Sequence, residues 1–360
     1  MKGDIRIKRS LSIQSVRGID RSGLLSLLLD FPQQLRQARD IAGICKVVFE
    51  KRDFTNIIFA GVGGSSIGAD IIRSYLYFKS QLKIDIVRGY ELPAYVDNQT
   101  LIFTSSYSGN TEETLGAYTQ AKEKGACIIA ISSGGALKEL ALKDKLTFIE
   151  LPKGLPPRYS AGYLSIAPLI VLAKLGLVED PTPSINEVIR VLEDLRDLSL
   201  NPGIVEKDNI AKYIASRIFN RFAAIYSGPN HFVAATRLRN QINENAKSLA
   251  LSHFFPEAAH NEISGWQNPA RLLKNFTVVM LRDKYEHPRI SKEMDIAKEI
   301  FKRQGISVFE VFSRGEGLLA RIFSLIYIGD FISFYLAILY GVDPAPVEKI
   351  DYFKKRLTEN

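Results

Sequence analysis

The sequence predicts an α/β protein with two tandem doubly wound parallel sheets, an N-terminal helical segment and a C-terminal helix. Three observations support this fold class. Short apolar runs without polar alternation are each followed by a helical pattern, as in parallel sheets covered on both faces. This order occurs twice along the chain. The length of 360 residues, 46% hydrophobic and 24% charged, suits about two globular domains.

The predicted organisation has four parts. They are a helical segment at 1–45, a first sheet domain at 46–180, a connecting helix and linker at 181–205, and a second sheet domain with the C-terminal helix at 206–360. The first part is predicted to be helical because its apolar residues recur at helical spacing. The linker is placed where prolines interrupt the pattern.

The first half alternates strands and helices from Asn56 onwards. Apolar β-branched runs predict strands, and the charged or alanine-rich stretches after them predict helices. The predicted strands are NIIFAGVGG at 56–64, KIDIVRG at 83–89, TLIFTSSYSGNT at 100–111, ACIIAISSGG at 126–135 and TFIELP at 147–152. The predicted helices lie at 65–78, 112–125 and 136–145, with a long apolar helix after Leu155-Pro156-Pro157-Arg158.

The second half repeats this arrangement after an amphipathic helix that ends near Leu198. Its predicted elements are the strand RFAAIYSGPN at 221–230, a helix at 231–248, and the strands FTVVMLRD at 276–283 and GISVFEV at 305–311. The aromatic run at 323–340 has helical spacing and predicts a buried helix. Glycine- and hydroxyl-rich turns are mostly missing from this half, so the ligand-binding turns are expected in the first half.

Charge, cysteines and apolar stretches exclude several classes of protein. The net charge of +8 is scattered, which favours small anionic substrates over nucleic acid. Cys45 and Cys127 lie in apolar runs and predict buried thiols in a reducing cytosol. The N-terminus has no apolar signal segment, and the apolar stretch at 318–340 contains Arg321 and Asp330, so neither secretion nor a membrane span is expected. A cytoplasmic protein is therefore expected.

A glycine-rich turn is the first candidate ligand-binding feature. Gly61-Val62-Gly63-Gly64-Ser65-Ser66 follows a predicted strand and opens a helix, where glycines permit close approach and helix-start amides favour an anion. The string is not a dinucleotide fingerprint, because Ser66 stands where the third glycine belongs and no acidic residue stands at the ribose position after the end of the next strand. It also lacks the Gly-Lys-Ser/Thr of a nucleotide-triphosphate loop.

The turn at 105–111 is the second candidate, and it is rich in hydroxyls. Several hydroxyls and helix-start amides can surround a monophosphate without a cation. Because the carboxyl ends of parallel strands meet at one edge, both turns suit a single ligand site. The candidate phosphate-binding residues are Gly64, Ser65, Ser106, Ser108 and Thr111. Residues 132–135 form a third such turn, and a role for all these residues as mere caps and turn formers stays open.

Several strings resemble known families. GGSSIG, SYSGNTEET and ISSGG resemble the sugar isomerase (SIS) domain, which has a flavodoxin-like fold and binds phosphosugars. LPPRYSAGYL, NQINENAKS and EAAHNEISGW resemble the archaeal and bacterial bifunctional phosphoglucose/phosphomannose isomerases, and the similarity spans about residues 55–355. The resemblance implies two SIS domains in tandem. It also implies interconversion of glucose 6-phosphate and fructose 6-phosphate, with mannose 6-phosphate as a second aldose.

The same resemblance implies roles for four more residues. Glu244 would be the base that carries a proton between C1 and C2, and Arg158 would stabilise the enediolate. His260 and Lys354 would open the sugar ring, with His260 reaching the site from the other subunit of a homodimer. No cofactor and no metal are implied, since a base that works through a cis-enediolate requires neither. Hexose 6-phosphates would be the partners, with no nucleic acid and no membrane.

The residues alone leave alternatives open. Glu244 between two asparagines suits a solvated helix face, His260 a structural residue, and Arg158, in an extended turn after two prolines, a surface charge. Val347 stands where the family has a threonine linked to mannose 6-phosphate, so that activity stays open. A non-catalytic phosphosugar sensor is a second interpretation of the whole chain. A glucosamine-forming amidotransferase is disfavoured because the first cysteine is Cys45.

Overall fold

The protein forms two compact units, each built on a parallel sheet. A computed structural model describes residues 9–48, 53–357 and 359. One unit consists of the described residues of 31–189, and the other of those of 1–30 and 190–360. They are named here the five-stranded unit and the four-stranded unit after their sheets. Both sheets are parallel and helices surround them, so the predicted α/β fold class is confirmed.

Helices occupy most of the described N-terminal segment, as predicted. They are α1 (Ile13–Ile19), α2 (Leu24–Leu29) and α3 (Phe31–Ile44). Ser12 caps α1, because its Oγ accepts a hydrogen bond from the backbone N–H of Ser15 at 3.2 Å. α3 begins the five-stranded unit and buries an apolar face at helical spacing, formed by Phe31, Leu35, Ala38 and Ala42.

The five-stranded sheet is the centre of its unit. Its strands are β1 (Asn56–Ala60), β2 (Lys83–Val87), β3 (Thr100–Ser105), β4 (Cys127–Ser132) and β5 (Thr147–Glu150). They lie in the order β2-β1-β3-β4-β5. β1, β3 and β4 are buried at every residue, which explains why their sequences lack polar alternation. In this order the strand sequence reverses between β1 and β3, so the ligand crevice is expected at their carboxyl ends.

Helices follow the strands of this sheet closely. They are α4 (Gly64–Leu76), α5 (Glu112–Glu123), α6 (Gly135–Lys143) and α7 (Ala161–Lys174). The first three begin directly after the turns at the carboxyl ends of β1, β3 and β4, so their N-termini face the same edge of the sheet. α7 packs against α3 and α4 and is buried along most of its length.

The four-stranded unit is built in the same way. α8 (Thr182–Leu195) begins in the last residues of the five-stranded unit and continues past residue 190 into a π-helical turn (Arg196–Leu200). α9 (Ile210–Ile218) then leads to the second sheet. Its strands are β6 (Phe222–Ser227), β7 (Ala250–Phe254), β8 (Phe276–Arg282) and β9 (Ser307–Phe312), in the order β7-β6-β8-β9. The sequence pattern does not predict β7, because this edge strand has one fully buried residue, Ala250, followed by residues that are exposed or half-buried.

Seven further helices complete this unit within the described residues. They are α10 (Phe232–Asn245), α11 (Glu257–His260), α12 (Glu262–Gly265), α13 (Ala270–Leu273), α14 (Pro288–Arg303), α15 (Leu318–Tyr340) and α16 (Glu348–Leu357). α16 is the predicted C-terminal helix. α15 is the one helix of the described residues that is long and apolar enough to cross a membrane, and its apolar stretch is wholly buried inside the protein. The predicted buried helix is confirmed.

Candidate active site

The turns after β1 and β3 are bonded to each other at the carboxyl edge of the five-stranded sheet. The two strands are paired neighbours, with Ala60 opposite Thr104. Beyond them, the backbone N–H of Tyr107 donates a hydrogen bond to Ser65 Oγ at 3.2 Å. The two turns therefore form one surface at the position where doubly wound sheets bind ligands.

The second turn holds a cluster of hydroxyls. Ser106 Oγ lies 2.8 Å from Thr111 Oγ1 and 3.5 Å from Ser108 Oγ, and it accepts the backbone N–H of Gly109 at 3.1 Å. Ser106 is buried, Thr111 is half-buried and Ser108 is exposed, so the cluster runs from the core to the surface. Thr111 is the N-cap of α5, and its side chain makes no capping bond. Hydroxyls and helix-start amides in this arrangement can surround one phosphate group.

The third turn supports the second instead of adding donors to it. Ser133 Oγ donates to the carbonyl oxygen of Tyr107 at 2.8 Å, and Ser132 Oγ donates to that of Gly134 at 2.8 Å. The two turns also touch through their backbones: a Cβ at Gly109 would lie 1.8 Å from the Gly134 carbonyl oxygen. The turns are similar in sequence but differ in role, because the hydroxyls of the third turn donate to backbone carbonyl oxygens.

Gly64 brings the segment that carries Arg158 against the start of α4. A Cβ at Gly64 would lie 2.6 Å from the carbonyl oxygen of Pro157 and 2.8 Å from the backbone nitrogen of Arg158, so only glycine fits this contact. Arg158 is 5% exposed, and its guanidinium lies 5.4 Å from the centre of the Tyr159 ring. The interpretation of Arg158 as an ordinary surface charge is therefore wrong.

The backbone of Arg158 also differs from the expected extended turn. Arg158 lies inside a short 3-10 helix, Pro157–Tyr159. Proline restricts the residue before it, so the extended conformation falls on Pro156, whose ψ is 136°. Pro157, at the first helical position, instead favours a helical turn after it.

Tyr107 joins the second turn to the segment that precedes Arg158. Its hydroxyl donates to the carbonyl oxygen of Pro152 at 2.7 Å and accepts the backbone N–H of Leu155 at 2.9 Å. Burial raises the pKa of this phenol, which keeps its proton on the oxygen as a donor. Sequence reasoning included Tyr107 only as a letter in a motif, although an aromatic residue inside a serine-rich turn is a signal that it packs inward.

Arg88 is a cation beside the first turn that the sequence pattern does not single out. It follows β2, its Nε lies 3.4 Å from Ser66 Oγ, and it forms an ion pair with Asp70 of α4. Arg73 is bonded to the same carboxylate at 3.1 Å. Two guanidinium groups thus share one carboxylate in the middle of α4, and the surplus positive charge suits an anionic ligand.

Glu244 lies near the end of α10 in the four-stranded unit and is half-buried. The asparagines on either side of it are both hydrogen-bonded to other elements. Asn243 Oδ1 accepts the backbone N–H of Ala250 at 3.0 Å, and Asn245 Nδ2 donates to Ser333 Oγ at 2.9 Å. These bonds tie the end of α10 to β7 and α15, so Glu244 is held on a fixed helix end.

His260 and Lys354 lie on exposed parts of the same unit. His260 is the last residue of α11, a helix of four residues, and Lys354 lies on α16. Lys247 Nζ donates to the carbonyl oxygens of Glu244 at 2.7 Å and of Pro344 at 3.1 Å. One side chain thus connects the end of α10 with the segment that leads into α16.

The predicted site residues fall into two groups by unit. The five-stranded unit holds Gly64, Ser65, Ser106, Ser108, Thr111 and Arg158. The four-stranded unit holds Glu244, His260 and Lys354. The first group forms one connected set of turns, and the members of the second group lie on three separate helices of their own unit.

Known proteins resemble this chain in sequence over most of its length. A family model described as the bacterial phospho-glucose isomerase C-terminal SIS domain matches residues 207–357. The bifunctional phosphoglucose/phosphomannose isomerase of Caldicellulosiruptor bescii is 44% identical over 332 residues, which cover 92% of this chain and 97% of that protein. The protein of the same name from Aquifex aeolicus is 36% identical over 85% of this chain and 92% of its own length.

A solved structure shares the fold. The crystal structure of a hypothetical protein from Thermus thermophilus superposes with a TM-score of 0.74 at 15% identity and covers 96% of this chain and 94% of that chain. This likeness concerns the fold, whereas the sequence identity to the two isomerases extends over both units. The chain belongs to the family of bifunctional phosphoglucose/phosphomannose isomerases.

Proposed function

We propose that the protein is a sugar-phosphate isomerase that interconverts glucose 6-phosphate and fructose 6-phosphate and accepts mannose 6-phosphate as a second aldose. One observation carries the proposal: the turns after β1 and β3 are bonded into one hydroxyl-lined surface, and Gly64 holds the Arg158 segment against it. A surface that could hold a phosphate, next to a segment that carries a buried guanidinium, suits a reaction in which a bound phosphosugar develops negative charge. The names and identities of the two relatives support the same activity.

The turns would hold the substrate by its phosphate. Ser65, Ser106, Ser108 and Thr111 would donate hydroxyl protons, and the backbone at Gly64 would add an amide at the start of α4. Fixing one end of a flexible sugar positions its other end for reaction, and positioning of this kind accounts for much of the rate in many enzymes.

The chemical steps would fall to the remaining residues. His260 and Lys354 would move protons to and from the ring oxygen and the C1 hydroxyl, which opens the ring. Glu244 would then take the proton from C2 of the open aldose and return it to C1, while the hydroxyl proton on O2 passes to O1, which leaves the ketose. Arg158 would face the enediolate between these steps, where a permanently charged donor stabilises the developing charge.

Several finer features belong to the same proposal. His260 would be supplied by a second copy of the chain, which makes the active form a homodimer. The reaction would run through a cis-enediolate without a metal, since the base and the guanidinium already supply the required chemistry. Val347 directly precedes α16, and a valine cannot donate a hydrogen bond, so acceptance of mannose 6-phosphate would depend on other residues.

Proton and carbon NMR of the protein with fructose 6-phosphate tests the proposal directly. The protein is first treated with a chelator, and we expect glucose 6-phosphate to appear first and mannose 6-phosphate with it or after it. Binding of fructose 6-phosphate without any aldose, and without exchange of solvent hydrogen into the sugar, would instead favour a phosphosugar sensor. Turnover that returns only when a divalent metal is added would reject the metal-free mechanism.

A further inference from the structure

A buried tyrosine in the four-stranded unit is hydrogen-bonded to two side chains, a carboxylate and an indole. Tyr226 of β6 is 1% exposed, and its hydroxyl donates to Glu262 Oε1 and accepts the indole N–H of Trp266 at 2.9 Å. Glu262 and Trp266 both belong to the chain just after His260. One phenol oxygen therefore fixes two points of that chain relative to the sheet.

The segment 257–266, named here the His260 segment, is anchored before and after His260. On the upstream side Phe255 and Ala258 are each 1% exposed. On the downstream side Trp266 is buried against Phe301, with ring centres 4.9 Å apart. His260 itself is exposed between these anchors.

The stretch between the anchors consists of two short helices. α11 and α12 have four residues each, too short to be stable helices in isolation. Asn261 separates them, and its side chain donates to Glu257 Oε1 at 2.8 Å and accepts the backbone N–H of Glu262. The direction of the His260 side chain therefore depends on where the sheet holds Glu262 and Trp266.

Glu262 is held in place by groups on two strands. Its second oxygen, Oε2, lies 4.0 Å from His253 Nε2 on β7. Burial, followed by the nearby Glu262 carboxylate, raises the pKa of Tyr226, so the phenol remains a donor to Glu262 at every physiological pH. The carboxylate is thus held from β6 by Tyr226 and faces His253 of β7.

We propose that Tyr226 is a positioning residue for ring opening, which acts through Glu262 and Trp266 on the segment that carries His260. This inference rests on the proposed function, in which His260 opens the ring. It also gives a physical reason for Glu262 and Trp266 in the string EAAHNEISGW, to which the proposed chemistry assigns no role.

The decisive variant is Tyr226→Phe, which removes one hydroxyl and keeps the ring in the core. We expect kcat to fall roughly ten- to hundredfold, because small misplacements of a catalytic group cost factors of this size, while KM changes less than about twofold. Tyr327→Phe is the matched control: Tyr327 is buried in the same unit and its hydroxyl donates to the Leu28 carbonyl oxygen at 2.7 Å, far along the chain from His260. That variant should lose stability and keep its kcat.

A double mutant separates positioning from general damage to the fold. If Tyr226 acts through His260, Tyr226→Phe has no further effect on kcat once His260→Ala is in place, whereas independent effects multiply. Hydrogen exchange supplies a readout apart from activity: the amides of 257–266 should exchange faster in Tyr226→Phe, with the rest of the unit unchanged. Should Tyr226→Phe fail to fold, Glu262→Gln and Glu262→Ala replace it, since the amide oxygen of glutamine can still accept the phenol proton. The glutamine variant should then stay closer to the wild-type kcat than the alanine variant.

The outcomes distinguish this inference from the proposed function. A wild-type kcat in Tyr226→Phe, together with a large loss in His260→Ala, overturns the inference and leaves the proposed function standing. Full activity in His260→Ala rejects the ring-opening role of His260 and the inference with it. An equal loss of kcat in Tyr226→Phe and Tyr327→Phe would show that Tyr226 only stabilises the core. Multiplied losses of kcat in the double mutant would show the same.

Discussion

Tyr107 donates its backbone N–H to Ser65 Oγ at 3.2 Å, and this bond joins the two turns of the candidate phosphate site. Because the oxygen of Ser65 accepts this bond, the hydroxyl proton remains available as a donor. One side chain can therefore hold the second turn in place and donate to a phosphate oxygen. Loss of the hydroxyl should consequently weaken substrate binding, because it removes a phosphate donor and also the acceptor that holds the second turn.

Ser65→Ala is expected to raise KM for fructose 6-phosphate by about ten- to a hundredfold, since a hydrogen bond to a charged group contributes about 1.5–3 kcal/mol. Steady-state kinetics and a titration with inorganic phosphate measure the change. Ser165→Ala is the matched control, because its buried hydroxyl donates to the Ala161 carbonyl oxygen at 2.7 Å within α7. Equal KM values for the two variants would contradict the role of Ser65.

Gly64→Ala should damage both stability and turnover. The new Cβ would lie 2.6 Å from the Pro157 carbonyl oxygen, so the segment that carries Arg158 must shift. Overpacking of this kind costs about 1–3 kcal/mol, and displacement of Arg158 should lower kcat. Gly43→Ala in α3 is the control, because a Cβ there meets nothing within 4 Å. Denaturant unfolding and kcat are measured together, and a Gly64→Ala protein that equals the control in both would remove the steric argument.

Glu244→Gln tests the proposed base. The amide keeps the size of the side chain but cannot take a proton, so kcat should fall by about a hundred- to ten-thousandfold with little change in the free energy of unfolding. Exchange of solvent deuterium into C2 of the sugar should fall in parallel. Glu299→Gln, an exposed carboxylate on α14, serves as the control and should keep full activity. Unchanged exchange in Glu244→Gln would assign the base to another residue.

The sequence predicts most of this fold because its central strands lack polar alternation. β1, β3 and β4 are buried on both faces, so apolar residues occupy their middles and the few polar residues lie toward their ends. β7 escapes prediction for the opposite reason, since an edge strand need not bury every residue. The helical turn at Arg158 also escapes, because a proline restricts the residue before it.

The sequence predicts the hydrogen-bond donors of the candidate site, but not the residues that hold those donors in place. Hydroxyls and glycines after a strand are visible as letters, and the structure does place Ser65 and Ser106 at adjoining turns. The bond from Ser133 to Tyr107 joins residues that are distant in sequence, so no local pattern could separate the supporting turn from the binding turn. Arg88 is another such residue, because only strand pairing brings it beside the first turn.

Removing one partner of the buried ion pair between α10 and α15 should lower the free energy of unfolding. Arg237 Nη2 lies 2.8 Å from Asp330 Oδ2, and both side chains are buried. Asp330→Ala leaves an uncompensated guanidinium and should cost about 3–5 kcal/mol of unfolding free energy, whereas Asp330→Leu combined with Arg237→Met should recover most of it. Urea unfolding measures both. A double variant no more stable than Asp330→Ala would show that the charges are needed as charges.

His231 should make the stability of the protein depend on pH. It is the N-cap of α10, it is 3% exposed, and its Nε2 lies 3.7 Å from Asp283 Oδ2. Burial lowers the pKa of His231 from 6.5 to about 4, against the opposing effect of Asp283 and with a further contribution from Arg321.

Because the folded state holds this proton less tightly than the unfolded chain, stability is complete above pH 6.5 and falls as the pH drops toward 4. Over that window the loss should reach about 3 kcal/mol, at 1.36 kcal/mol per pKa unit. His231→Gln removes the titrating group, so urea unfolding from pH 7 to pH 4 should show a shallower decline than in the wild type. If the wild type and His231→Gln decline in parallel, the folded environment does not lower the pKa of His231.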